Sequence, residues 1–142
     1  MYKKLLVGVD WSEASLKAVE KAVEMAKAMG SKLVLVTVVP PPTVFLGEAM
    51  APEVVDTTPL VEATRRKLSE LADRYREEHK VEVLVEVIVG EPSESIVEYA
   101  TEIEADLIVL GKRRLSGIER FILGSVTKKV VEKSPVDVLI VT

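Results

Sequence analysis

The amino-acid sequence predicts an α/β fold, a three-layer sandwich with a five-stranded parallel sheet between two layers of helices. Three observations carry that prediction. Apolar runs recur at 4–9, 32–39, 81–89, 105–110 and 136–141 of the 142 residues. Between most of them the apolar spacing changes from continuous to helical, and strands alternating with helices imply parallel strands joined by right-handed crossovers. Gly, Pro or Ser stands at many of the changes of period, where chain reversals are expected.

The first run, KLLVGV, is near-continuously apolar and ends at Asp10, as in a strand buried on both faces. A helix follows from Ser12 as N-cap to Gly30 as C-terminal stop, with Leu16, Val19, Val23 and Ala26 on its inner face. KLVLVTVV, 32–39, is the second strand, stopped by Pro40, Pro41 and Pro42. Residues 40–58 show no steady period and read as a long mobile loop within a single domain spanning 1–142, either a lid or partner-contacting segment or equally a loosely packed connector.

Thr58 with Pro59 opens the second helix as cap and first turn, and Leu60, Ala63, Leu68, Leu71 and Tyr75 form its expected buried face. The third strand, 81–89, is interrupted by Glu82 and Glu86, which places it nearer a sheet edge. Pro92 starts a helix carrying Ile96, Val97, Ala100 and Ile103; ADLIVL, 105–110, is the fourth strand. A helix from about Ser125 and the strand VDVLIVT complete the chain. The first and fourth strands are the most apolar and belong at the centre, so the loops after them flank a topological switch point, where open α/β sheets bind ligands.

Composition narrows the partners. The net charge of -4, with 23 acids against 19 bases, argues against general nucleic-acid binding, which needs a broad basic face. Cysteine is absent, which removes disulfides, thiolate nucleophiles and thiolate metal sites. The short apolar stretch near the N-terminus meets Asp10 too soon for a signal peptide or membrane span, so a cytoplasmic protein is expected. There is no Asn and no Gln, a depletion of thermolabile amides that fits a thermophile and equally an idealised artificial sequence.

Three loops leave carboxyl ends of strands on one edge: Asp10-Trp11-Ser12, Gly90-Glu91-Pro92 and Gly111 through Ser125. Gly111 permits a tight turn or close approach to a ligand. Gly124 and Ser125 stand where a helix begins, with unpaired N–H groups, a hydroxyl and the positive end of a helix dipole, a combination that suits phosphate. Lys112, Arg113, Arg114 and Arg120 add mobile positive charge. The same stretch also reads as a plain solvated connection. Asp10 suits a ribose hydroxyl or an adenine amine, or a helix cap alongside Ser12; Trp11 suits a base, or packing over the helix start. His79 lies in a charged helix end, and neither a histidine triad nor a P-loop has its motif here.

Three stretches together resemble the universal stress protein family over essentially the whole chain: KKLLVGVDWSEAS, GEPSESIVEYA and ADLIVLGKRRLSGIERFILGSVTKKVVEKSPVDVLIV. Nucleotide-binding members carry Gly-x-x-Gly, nine residues, then Gly-Ser or Gly-Thr. Here Gly111, the nine residues 115–123, Gly124 and Ser125 keep the spacing, while Arg114 stands in place of the second glycine. The resemblance implies a Rossmann-like, adenine nucleotide alpha hydrolase-like sheet in the order 3-2-1-4-5 and ATP or AMP as ligand. It implies adenine near Asp10, Val38 and Leu110, and ribose and phosphates against Gly111, Arg114, Gly124, Ser125, Val126 and Thr127. It also implies a homodimer through the last strand, 136–141, acting with an unidentified protein partner as a stress-response switch.

Two other readings follow from the same residues. Arg114 in the glycine's place fits a nucleotide-free dimerisation and partner-binding module. Slow ATP hydrolysis or autophosphorylation at Ser125 or Thr127 is the third, with Asp10 holding Mg²⁺ through water as its only support.

Overall fold

The computed structural model describes residues 1–41, 43–46, 51–54, 56–112 and 124–142. Its main sheet has five parallel strands, β1 (Lys4–Gly8), β2 (Lys32–Val39), β5 (Val83–Val89), β6 (Leu107–Gly111) and β7 (Asp137–Val141), in the order β5-β2-β1-β6-β7. Counting only these strands, that is the expected 3-2-1-4-5. Four helices, α1 (Glu13–Met29), α2 (Thr58–His79), α3 (Pro92–Glu102) and α4 (Ser125–Lys133), cover its two faces.

Alternation along the central strands builds two cores at once. Leu5 and Val7 of β1 with Val9 just beyond it, Leu33 and Leu35 of β2, and Leu107 and Val109 of β6 pack under α1 and α2. Leu6, Val34, Val36, Ile108 and Leu110 pack on the other side with Ile96 and Ala100 of α3 and Val130 of α4. Strands used on both faces must be apolar throughout, which is why these runs are continuous. Ala18, Ala22 and Ala26 keep the buried face of α1 shallow, so the helix backbone lies close to the sheet.

Both predicted ends of α1 hold: the Ser12 hydroxyl accepts the Ser15 N–H at 3.1 Å, and Gly30 ends the helix at φ 69°, where a side chain would be strained. The start of α2 differs from expectation. Thr57, not Thr58, is the N-cap residue and supplies no side-chain bond; Asp56 Oδ1 accepts the Thr58 N–H at 3.0 Å instead. The buried stripe is also rotated. Val61, Leu68, Leu71, Ala72 and Tyr75 touch the core, whereas Leu60 is 50% exposed and Ala63 faces solvent, because residues 60 and 63 sit well round the helix from Leu68.

The segment read as a loop, 40–58, contains a two-stranded antiparallel ribbon, β3 (Thr43–Leu46) with β4 (Ala51–Val54), in the register Thr43↔Val54 to Leu46↔Ala51. Pro52 is compatible with it, since a two-stranded ribbon consists of edges, which tolerate a residue without an N–H. No described helix is long and apolar enough to cross a membrane.

The outer margin of the sheet at β5 is closed by side chains. The register with β2 turns the backbone groups of Val83 and Val87 outward. Arg76 of α2 donates Nε and Nη2 to the Val83 carbonyl, and the Glu86 carboxylate, ion-paired with Arg65, accepts the Val87 N–H at 3.0 Å.

Asp106 ties β1 to β6 at the opposite end from the loops of interest. Its Oδ2 accepts the N–H groups of both Lys3 and Lys4 at 2.8 Å. The Lys4 bond first, then the Lys3 bond, holds its carboxyl below the ordinary value of 3.8. A depressed folded-state pKa contributes stability that is complete above the unfolded value and is lost as pH falls through the folded one. Urea midpoints measured from about pH 5 down to about pH 2 are expected to fall less steeply in Asp106→Asn than in the native chain. An unchanged slope would remove Asp106 from the acid sensitivity.

Candidate functional site

β1 and β6 are neighbours, and the helices that follow them lie on opposite faces of the sheet. The two chain exits diverge and leave a cleft of about 290 Å³ at the strand ends. Its floor consists of Gly8, Val36, Val38 and Leu110, with Ile96 of α3 beneath. Asp10, Ser12 and Ser15 form one wall, Gly111 and Gly124 through Thr127 the other, and Pro40 and Pro92 stand at the rim.

The wall from the β1–α1 turn is tightly wired. Asp10 Oδ1 accepts from the Ser12 N–H at 3.0 Å and from the Ser12 hydroxyl, which itself caps α1. The Ser15 hydroxyl accepts the Asp10 N–H at 3.3 Å and donates to the Ser12 carbonyl at 3.0 Å. Ser12 caps the helix, Asp10 braces Ser12, and both residues line the cleft.

The opposite wall is electrostatically different. α4 begins at Gly124 in an extended conformation, φ -63° and ψ 158°, and no side chain among the described residues caps it. The first N–H groups of α4 and the positive end of its dipole therefore meet the cleft without an internal acceptor from a cap. At α3, by contrast, the Glu91 carboxylate accepts the Glu94 N–H at 2.8 Å, the Ser93 N–H and the Ser93 hydroxyl, and these bonds, led by the Glu94 one, depress its pKa. Asp10 is the only carboxylate among the described residues lining the cleft. The cleft thus has an anionic acceptor at one end and an uncapped helix start at the other.

Gly111 lines the cleft and meets a further demand as well. A Cβ there would stand 2.2 Å from the Ala14 carbonyl oxygen and 2.8 Å from the Ser15 nitrogen, so the glycine admits the backbone of α1. Thr127 is buried, and its hydroxyl points to the Gly111 carbonyl at 3.5 Å, near the limit of a hydrogen bond, leaving Ser125 as the exposed hydroxyl at the helix start.

Of the predicted site residues, Asp10, Ser12, Val38, Leu110, Gly111, Gly124, Ser125, Val126 and Thr127 are brought together around the cleft. Trp11 is not. Its left-handed backbone, φ 66°, carries the ring out of the cleft to pack against the α1–α2 core, with Lys67 Nζ 4.1 Å from the ring centroid. Arg114 lies outside the described residues, as do Arg113, Gly117 and Arg120. Lys112 precedes that stretch and donates its N–H to the Val141 carbonyl at 2.8 Å.

The lining residues not predicted as site residues are Gly8, Val9, Ser15, Val36, Pro40, Pro92 and Ile96. Gly8 carried a readable signal, since a glycine inside a buried strand marks a close approach. A Cβ there would lie 2.9 Å from Leu110 Cδ2 and 3.4 Å from Ile96 Cδ1.

The comparisons with known proteins agree with this geometry. The Universal stress protein family matches residues 1–142. A universal stress protein of Methanocaldococcus jannaschii is 32% identical, aligned over 99% of this chain and 82% of its own length. A universal stress protein crystallised in complex with cAMP has a TM-score of 0.75 at 32% identity, covering 99% of this chain and 97% of that one. The universal stress protein from Archaeoglobus fulgidus in complex with dAMP gives 0.70 at 26% identity, covering 99% and 98%. With the family matched from end to end and the fold shared, the chain belongs to the universal stress protein family.

Proposed function

We propose that the chain binds an adenine nucleotide, ATP or AMP, in the cleft between β1 and β6 and works as a homodimeric stress-response switch in the cytoplasm. The observation that carries this reading is the polarity of the cleft, with Asp10 at one end and the uncapped start of α4 at the other. A nucleotide has the matching polarity: ribose hydroxyls or an adenine amine donate to a carboxylate, and phosphate oxygens accept from helix N–H groups. The apolar floor of Val36, Val38, Leu110 and Ile96 suits a purine face. The relatives crystallised with cAMP and dAMP support the adenine class. Mg²⁺ would accompany ATP through water and the phosphates, with Asp10 within the same cleft.

Dimerisation is assigned to β7, the sheet margin opposite the side-chain-closed β5. In this reading occupancy of the cleft biases the 40–58 segment or the dimer, which an unidentified protein partner then reads.

The test is to denature the protein as purified, assay the released adenine nucleotide, and titrate emptied protein with ATP and AMP. Release of nucleotide or saturable binding is expected. Neither appearing refutes the reading.

A second reading, a nucleotide-free dimerisation and partner-binding module, is favoured by Arg114 standing where binding members carry glycine. Arg114→Gly separates the two. Binding created by the substitution supports the second reading; binding weakened by it makes the guanidinium a phosphate ligand.

A further inference from the structure

The β1–α1 turn makes a contact that the nucleotide reading does not use. Trp11 stands between Asp10 and Ser12 at φ 66°, in the left-handed region that a bulky side chain rarely adopts. A residue persists there only where its surroundings over-determine it. Two sets of contacts do so here. On the cleft side, Asp10 Oδ1 holds the Ser12 N–H and hydroxyl and closes the turn around Trp11. On the other side, the indole packs against the core beneath the Lys67 ammonium of α2, 4.1 Å from its centroid. A cation over an indole face is the favourable arrangement of those groups.

Apart from that contact, the first half of α2 is held by Val61 against the core, by Asp56 Oδ1 on the Thr58 N–H and by the Arg65–Glu86 ion pair. Its N-cap residue makes no side-chain bond, and Leu60 and Ala63 face solvent. On the sheet face that α1 and α2 cover, near the carboxyl end of β2, the buried Thr37 hydroxyl has no hydrogen-bond partner among the described residues. Local stability is lowest where caps and buried contacts are few.

The geometry points to Trp11 and Lys67 as a latch through which occupancy of the cleft governs the first half of α2. The inference rests on the nucleotide reading and supplies its transmission. A ligand hydroxyl that engages Asp10 competes with Ser12 for the same oxygen and loosens the turn. Trp11 then leaves the left-handed conformation, its ring withdraws from Lys67, and residues 58–67 lose one of their anchors. Linkage requires the converse: releasing the latch beforehand favours the ligand by the same factor with which the ligand releases the latch.

The experiment compares the full-length native chain with Lys67→Met, which keeps the stem and removes the charge. ATP affinity is measured by calorimetry, and amide exchange over 57–68 is measured with and without saturating ATP. In the native chain ATP is expected to speed exchange there about threefold or more. In Lys67→Met exchange is already fast without ATP, ATP adds no further change, and ATP binds about threefold tighter. ATP binding to the native chain with exchange at 57–68 unaltered overturns the latch and leaves the nucleotide reading standing. So does an undiminished ATP response in Lys67→Met. Absence of ATP binding overturns both.

Discussion

Gly111→Ala destabilises the folded chain by about 3 kcal/mol or more, equivalent to a fall in Tm of on the order of 10 °C for a domain of this size. The added methyl would meet the Ala14 carbonyl oxygen at 2.2 Å, its carbon at 2.3 Å and the Ser15 nitrogen at 2.8 Å. These are backbone atoms of α1, so no rotamer change relieves the overlap. The end of β6 and the start of α1 must separate. That movement displaces Ser12 and Ser15 relative to Gly124, and so spreads the cleft as well as weakening the core. Urea or thermal unfolding measures the first effect and ATP titration the second. An alanine variant with native stability would show that the helix backbone shifts at little cost.

Gly124→Asp moves stability and binding in opposite directions. Gly124 already has the extended backbone of an N-cap, and α4 has no side-chain acceptor among the described residues. An aspartate carboxylate there can take the N–H groups of the first turn and complement the dipole, a gain of about 0.5–1 kcal/mol in stability. The same carboxylate occupies the donors assigned to phosphate and sets a negative charge beside them. ATP affinity is expected to fall about 10- to 100-fold while Tm rises. A merely structural role for the helix start would give the stability gain with unchanged binding. Calorimetry and thermal unfolding on the same sample distinguish the outcomes.

The parts of the fold readable from the sequence are those whose neighbours hardly matter. β1, β2 and β6 are apolar on both faces wherever they sit in the sheet, so their runs mark them directly. Ser12, Gly30 and Pro92 act within a few residues of themselves, and each stands where local chemistry puts it. What was misread depends on distant partners. Leu60 belongs to a helix whose first turn gains little cover from the sheet, and periodicity cannot say where cover ends. The pairing of Thr43–Leu46 with Ala51–Val54 joins two four-residue strands that have no long alternating pattern.

The cleft divides in the same way. Asp10, Gly124 and Ser125 were legible because strand ends and helix starts carry their own chemistry. Ile96 was read as core and serves also as cleft floor, a second use visible only once α3 is placed beneath Leu110 and Gly8. Gly111 reads towards a ligand, and its closest demand comes from Ala14, remote in sequence at the start of α1. Trp11 leaves the cleft because of one backbone torsion that composition does not encode.

The plugging of Val83 and Val87 by Arg76 and Glu86 bears on how many copies can join. A pair meeting through β7 would present β5 at both outer limits, and each limit is already occupied by groups of its own chain. A third copy adding to β5 would meet a guanidinium on the Val83 carbonyl and a carboxylate on the Val87 N–H. Strand addition would then terminate after one step, so the sheet can double its width without seeding a fibre.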